Sequence, residues 1–276
     1  MSTASRSVVR YGRIAVVTGA SEGIGEAFAR ALAARGHDLI LVARRREALE
    51  HLAGDVARQH GVTARVLPLD LGRPASVWEL VAATEQEDVG IAVLAAGFGT
   101  SGLFMRNPVE TELEMIDVNC RAVTALAHAF ASRFASTGRG AIVLFGSLLG
   151  WQGAPRAAAY AATKAYVQTL AEGLHAELKG AGVDVLCVAP GPVRSGFGRR
   201  AGMRLSLTDA APTVARAALR GLGRRATVVP GLVGGFLTAS LSVLPRFARI
   251  AIMGRIMKGM TQAHAARAPL NSSQPS

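Results

Sequence analysis

The chain has 276 residues, half of them hydrophobic, enough to bury the core of one large α/β domain, since domains commonly run to roughly 100–200 residues. Its 31 Lys and Arg against 19 Asp and Glu leave a net charge of +12, which favours anionic partners: phosphorylated cofactors, thioesters of coenzyme A or carrier proteins, acidic lipid or nucleic acid. Aromatics at 5% offer little to stack bases on, so no nucleic-acid partner is expected, and two cysteines without a CxxC spacing exclude a disulfide framework and a cysteine metal set.

Met1 to Arg10 lacks the apolar run of a secretory signal, so the chain is read as cytoplasmic. From Arg13 almost to Pro230, apolar β-branched runs alternate with helix-period segments. Val16–Val17, Leu39–Val42, Val66–Leu67, Ile91–Leu94, Ile142–Phe145 and Val183–Val188 predict strands, and their near-continuous hydrophobicity predicts a parallel sheet covered on both faces. Glu26–Arg35 and Ala158–Leu178 suit amphipathic helices. Strict β–α alternation predicts a single doubly wound α/β domain over residues 1–230. Cys120 and Cys187 fall in a helical and a buried-strand segment, where free thiols are expected in the interior. After Thr227 the composition changes: Val228–Pro245 carries no charge, and Phe247–Met260 is apolar with Arg249, Arg255 and Lys258 interspersed. This tail, residues 231–276, is too short in its apolar run to span a membrane. It reads as part of a substrate lid, as a subunit interface, or as a basic segment lying on anionic membrane, which would make the protein membrane-associated.

After the first strand comes Thr18-Gly19-Ala20-Ser21-Glu22-Gly23-Ile24-Gly25, followed by a helical pattern. Glycines let the backbone approach a pyrophosphate closely, and the helix that follows aims its unpaired N–H groups at the anion. The strand–turn–helix context predicts a dinucleotide site. About twenty residues beyond the glycines an NAD site presents Asp or Glu to the ribose 2′-hydroxyl. Here stands Ala43-Arg44-Arg45-Arg46, and an arginine fork suits a 2′-phosphate. Arg44 is the residue assigned to it; NADP(H) is preferred and NAD(H) less favoured.

Tyr160 and Lys164 stand four apart, on one helical face. A phenol titrates near pH ~10, and a neighbouring ammonium can lower that by roughly one to three units, which equips Tyr160 for proton transfer. Thirteen residues earlier Ser147 ends an apolar strand, within reach of a carbonyl oxygen.

Together these residues resemble the short-chain dehydrogenase/reductase family over Gly12 to about Pro230. Thr18–Gly25 is similar to the family's TGxxxGIG cofactor loop, with Gly19, Ser21, Gly23, Ile24 and Gly25 as contacts; Asp70-Leu71 to its adenine-binding pair; and Pro190-Gly191-Pro192-Val193-Arg194-Ser195 to PGxVxT around the nicotinamide. Asn119, Ser147, Tyr160 and Lys164 match the catalytic tetrad. The resemblance implies a Rossmann-like, mostly parallel seven-stranded sheet with a C-terminal helical tail, a homo-oligomer, and an oxidoreductase that moves hydride between nicotinamide and a carbonyl or secondary alcohol. It further implies that Ser147 holds the substrate oxygen, Tyr160 supplies its proton, Lys164 depresses the Tyr160 pKa and binds the nicotinamide ribose, and Asn119 bends a helix and holds a water next to Lys164. Ala96 and Gly97 stand in the segment that passes the cofactor, where the family's NNAG reads Leu94-Ala95-Ala96-Gly97. The missing Asn side chains predict that this segment is braced differently. Glu22 occupies a position where many NADP-preferring members carry a basic residue, and Gly146 replaces the first Ser of a common pair.

Phe197, Met203, Leu205, Leu207 and the tail predict a hydrophobic small-molecule substrate: a lipid-like ketone, a 3-oxoacyl chain, or a steroid- or polyketide-like carbonyl. The alternative function is a non-catalytic NADP(H)-binding sensor or assembly protein on the same fold.

Overall fold

The computed structural model describes residues 3–203, 208–231 and 243–265, so Leu205, Leu207 and much of the uncharged stretch before Pro245 lie outside the described residues. Each apolar run predicted as a strand forms one: β1 (Ile14–Thr18), β2 (Asp38–Ala43), β3 (Ala64–Pro68), β4 (Val89–Leu94), β5 (Gly140–Phe145) and β6 (Val183–Val188). Short strands follow at β7 (Val193–Arg194), β8 (Asp209–Ala210) and β9 (Thr227–Val228). The helices are α1 (Thr3–Tyr11), α2 (Gly23–Ala33), α3 (Arg46–His60), α4 (Pro74–Ala83), α5 (Val109–Ile116), α6 (Val123–Thr137), α7 (Ala158–Leu178), α8 (Phe197–Arg200), α9 (Ala211–Gly221) and α10 (Arg246–Ala265).

A seven-stranded sheet runs in the order β3-β2-β1-β4-β5-β6-β9, with every pair parallel. Its two faces are separated by the period of two along each strand. Ala15 and Val17 face one apolar cluster with Phe28, Leu32 and Leu49 of α2 and α3, and Val214 and Ala218 of α9. Val16, Ile40 and Val42 face the other, with Leu80 of α4, Leu126, Phe130 and Phe134 of α6, and Val167 of α7. Phe28, Phe130 and Phe134 are wholly buried, each worth roughly 1.5–3 kcal/mol relative to exposure. Cys187 lies buried in β6 and Cys120 half-buried beside α7; burial pushes both thiols up, Cys187 to about 11, so neither is a ready nucleophile.

The order reverses at β1, whose neighbours are β2 and β4. Crossovers leave the sheet in opposite directions there, and the strand ends part to form a crevice. A third apolar cluster closes this end: Phe98, Met115, Tyr160 and Met203 pack with Met253 and Met257 of α10. The tail therefore folds back on the domain, with Gly254 against Pro155 and Arg156 Nη1 donating to Thr261 Oγ1 at 3.4 Å. Among the described residues no helix is long and apolar enough to cross a membrane.

Candidate active site

The crevice is a cleft of about 590 Å³. Its floor is the turn from β1 into α2, whose residues Gly19, Ser21, Gly23, Ile24 and Gly25 all line it. Gly19 has φ +66, and a Cβ there would stand 2.8 Å from the Ala95 carbonyl oxygen; a Cβ on Gly25 would collide with the Gly19 carbonyl. The loop is thus folded as tightly as a backbone without side chains permits. Glu22 precedes α2 in extended conformation and makes no side-chain cap. The first N–H groups of α2 remain open toward the cleft, a setting that favours an anion.

The next wall comes from the ends of β2, β3 and β4, with Arg44, Asp70, Leu71, Ala96 and Gly97 lining the cleft. Arg44 stands 3.7 Å from Glu114. Arg45, the next member of the arginine run, reaches further into the glycine loop: its Nη2 donates to Ser21 Oγ at 3.2 Å and pairs with Glu22 at 3.0 Å. Glu22, where a basic residue was a family expectation, is thereby neutralised by the arginine run itself. The segment after β4 is braced as its altered sequence requires. Thr18 Oγ1 accepts from Ala96 N at 3.0 Å, and Asn119 clamps Phe98 by accepting from its N–H at 3.1 Å and donating to its carbonyl at 2.8 Å.

Asn119 belongs to a π-helical turn, Asp117–Ala122, between α5 and α6, so the helix is deformed where the resemblance implied a bend. Asn119 also donates to Thr163 Oγ1 at 3.1 Å. It lies behind the cleft wall, close to Gly97 and Lys164, and does not line the cleft as the other named residues do.

Ser147 follows β5 and starts a short 3-10 turn, where its Oγ accepts from Leu149 N at 3.2 Å. Its own N–H donates to Gln168 Oε1 at 3.1 Å. Gln168 is four residues beyond Lys164, and Tyr160, Lys164 and Gln168 form one buried stripe of α7. The spacing that exposed the Tyr–Lys pair could have found Gln168 too, had it been continued one turn.

Tyr160 and Lys164 are both buried. Burial raises the Tyr160 phenol to about 12, opposed by the Ser147 hydroxyl, which lowers it. Burial also drops Lys164 from 10.5 to about 8. Lys164 Nζ donates to the Phe145 carbonyl at 3.0 Å and stands 5.8 Å from the Tyr160 ring centroid. The phenol thus stands above its ordinary value, not below it as the Tyr–Lys spacing and the resemblance predict. Burial outweighs the Ser147 hydroxyl, and it is that hydroxyl, not Lys164, that pulls in the lowering direction. The Phe197 ring lies against Tyr160, centroids 5.3 Å apart.

Pro190, Gly191, Val193 and Ser195 line the opposite wall, and Phe197, Met203 and the α10 side chains Met253, Ile256, Met257 and Met260 complete it with apolar surface. The tail methionines were invisible to motif reading, since they reach Tyr160 only through the fold. Among the described residues, no group of three or more His, Cys, Asp or Glu side chains is placed to hold a metal.

The family profile described as short chain dehydrogenase matches residues 13–204. The chain belongs to this family. It is an oxidoreductase of the short-chain dehydrogenase type, whose fold binds a nicotinamide cofactor, and the glycine turn, open helix end and arginines fit such a group. The chain is 40% identical over 182 residues to a 7beta-hydroxysteroid dehydrogenase of Clostridium sardiniense, covering 66% of this chain and 70% of that one. It is 30% identical over 260 residues to a very-long-chain 3-oxoacyl-CoA reductase of Anas platyrhynchos, covering 92% and 82% respectively. The solved structure of a short-chain dehydrogenase from Sphingobium yanoikuyae in complex with NADPH superposes with a TM-score of 0.76 at 34% identity, covering 84% of this chain and 96% of that one.

Proposed function

We propose that this chain is an NADP(H)-dependent oxidoreductase that moves hydride between the nicotinamide and the carbonyl or secondary alcohol of a bulky hydrophobic substrate. The observation that carries this reading is a single cleft shared by Ser147, Tyr160 and Lys164 with an apolar wall of Met203, Met253 and Met257. Preference for NADP(H) is supported by Arg44 and Arg45 at the end of β2, where no carboxylate follows the strand, and by the NADPH-bound relative. The names of the relatives, a steroid dehydrogenase and a very-long-chain acyl reductase, support a substrate of apolar bulk.

The cofactor, when bound, supplies or accepts the hydride. Ser147 holds the substrate oxygen, with its backbone fixed by Gln168. Tyr160, a protonated phenol at neutral pH, donates to that oxygen as charge develops on it. Lys164, whose pKa of about 8 leaves it mostly charged at pH 7, stabilises the resulting phenolate through space, its Nζ 5.8 Å from the ring centroid. Asn119 keeps the Phe98 backbone and Thr163 in place behind them. The tail, residues 231–276, acts through α10 as part of the substrate wall, in preference to membrane contact. The exposed Val109, Leu113 and Ile116 of α5 support association between copies of the chain.

NADPH oxidation is measured against a panel of bulky ketones and 3-oxoacyl thioesters, with Tyr160→Phe beside the parent. Turnover that falls by at least about a hundredfold in the variant, with NADPH binding retained, is the expected result. Equal turnover in the two proteins would refute the role of Tyr160; tight NADPH binding with no turnover by the parent across the panel would favour the binding-protein reading.

A further inference from the structure

The α8 turn is docked directly on the glycine loop. The Ser195 side chain occupies the space a Cβ on Gly23 would need, 2.9 Å away, and the Glu22 carboxylate lies 2.7 Å from the corresponding position on Gly196. Two residues of this turn, Arg199 and Arg200, line the cleft, although the motif that precedes them ends at Ser195. The Arg200 guanidinium lies over the Phe98 ring, 4.7 Å from its centroid. Its charged neighbours are Arg44, Glu114, Glu22 and Asp70. Of these acids, Glu114 already pairs with Arg44 and Glu22 with Arg45. Among the described residues, Arg200 has no ion pair within 4.0 Å. Partial burial, followed by the charge of Arg44, pulls its pKa below the usual arginine value, as expected of a cation short of a counter-ion.

We propose that Arg200 is a phosphate clamp: from α8 it binds the cofactor's pyrophosphate, while the open N–H groups of α2 hold the same group from the glycine loop. This rests on the reading of the cleft as a dinucleotide site. Position selects the pyrophosphate over the 2′-phosphate. Arg44 and Arg45 occupy the end of β2, where the ribose is bound, whereas Arg200 comes from the turn docked on the glycine loop, with Ser195 against Gly23 and Glu22 against Gly196, although Arg44 remains among its charged neighbours. A guanidinium held 4.7 Å above an aromatic ring has less freedom to lose on binding, and its planar fork suits two bonds to phosphate oxygens. The same four-residue turn carries Phe197 against the Tyr160 ring. Phosphate binding at Arg200 therefore also steadies the wall that Phe197 sets against Tyr160.

Equilibrium dissociation constants for NADPH and NADH are measured by nicotinamide fluorescence for the parent, Arg200→Ala, Arg200→Lys and Arg44→Ala, with the melting midpoint of each protein checked. Arg200→Ala is expected to weaken both dinucleotides by about tenfold or more while leaving the ratio between them unchanged. Arg200→Lys should retain part of the affinity, and Arg44→Ala should weaken NADPH selectively. Added salt should weaken the parent more steeply than Arg200→Ala. Unchanged constants in Arg200→Ala would overturn the clamp, and a loss confined to NADPH would move Arg200 to the 2′-phosphate and overturn the pyrophosphate assignment. Failure of the parent to bind either dinucleotide would instead overturn the cofactor reading beneath it.

Discussion

Lys164→Met should make the protein more stable and less active at once. The buried ammonium titrates at about 8 in place of 10.5, a difference worth about 3 kcal/mol against the charged form in the folded state. Methionine matches the length of the lysine stem, but it gives up the charged hydrogen bond to the Phe145 carbonyl, a loss of about 1.5 kcal/mol at the low end for such bonds. The net gain at pH 7 is about 1.5 kcal/mol, or about 3 °C in melting midpoint for a chain of this size. The sign with pH follows from the depressed pKa. Below pH 8 both folded and unfolded chains hold the proton, so the folded parent bears the full cost. Between pH 8 and about 10.5 only the unfolded chain keeps it, so the parent gains stability as pH rises. The advantage of the variant should therefore shrink to about zero near pH 9. Melting midpoints of both proteins at pH 7, 8, 9 and 9.5 check this, with carbonyl reduction assayed at pH 7, where the variant should lose at least about a hundredfold. A variant that is less stable at pH 7, or whose advantage does not change with pH, would refute the desolvation argument.

Gln168→Leu leaves the buried Ser147 N–H without an acceptor, so turnover should fall by about tenfold with NADPH affinity unchanged, and Gln168→Glu should restore much of it by returning an acceptor oxygen. Equal loss in both variants would mean that Gln168 acts by packing and not by positioning Ser147. Met257→Ala removes a thioether side chain from the α10 wall, so KM for a bulky apolar ketone should rise by about tenfold while KM for a small ketone stays within about twofold. A uniform change across substrates of different size, read from the same rate measurements, would show that α10 does not set their discrimination.

What was legible from the sequence is what lies close along the chain. The glycine turn, the runs of β-branched residues and the i, i+4 pairing of Tyr160 with Lys164 are each imposed by local backbone or side-chain geometry, so a short window contains their whole physical cause. The neutralising of Glu22 by Arg45, the bracing of Ala96 by Thr18 and the clamp of Asn119 on Phe98 join residues about 20 to 80 positions apart. Such contacts depend on the parallel order of β2, β1 and β4, which no local pattern states.

The sequence by itself determined a doubly wound sheet, a glycine turn at the end of its first strand, and the placing of Tyr160 and Lys164 on one face of one helix. Tertiary structure alone decided which groups desolvate Tyr160 and Lys164 and so set their pKa values in opposite directions. It also brought Arg200 to Phe98 and wrapped α10 back so that Met253 and Met257 reach a tyrosine roughly ninety residues earlier in the chain. Burial and charge neighbourhood are sums over everything that surrounds a group in space, and the chain must be folded before that sum exists.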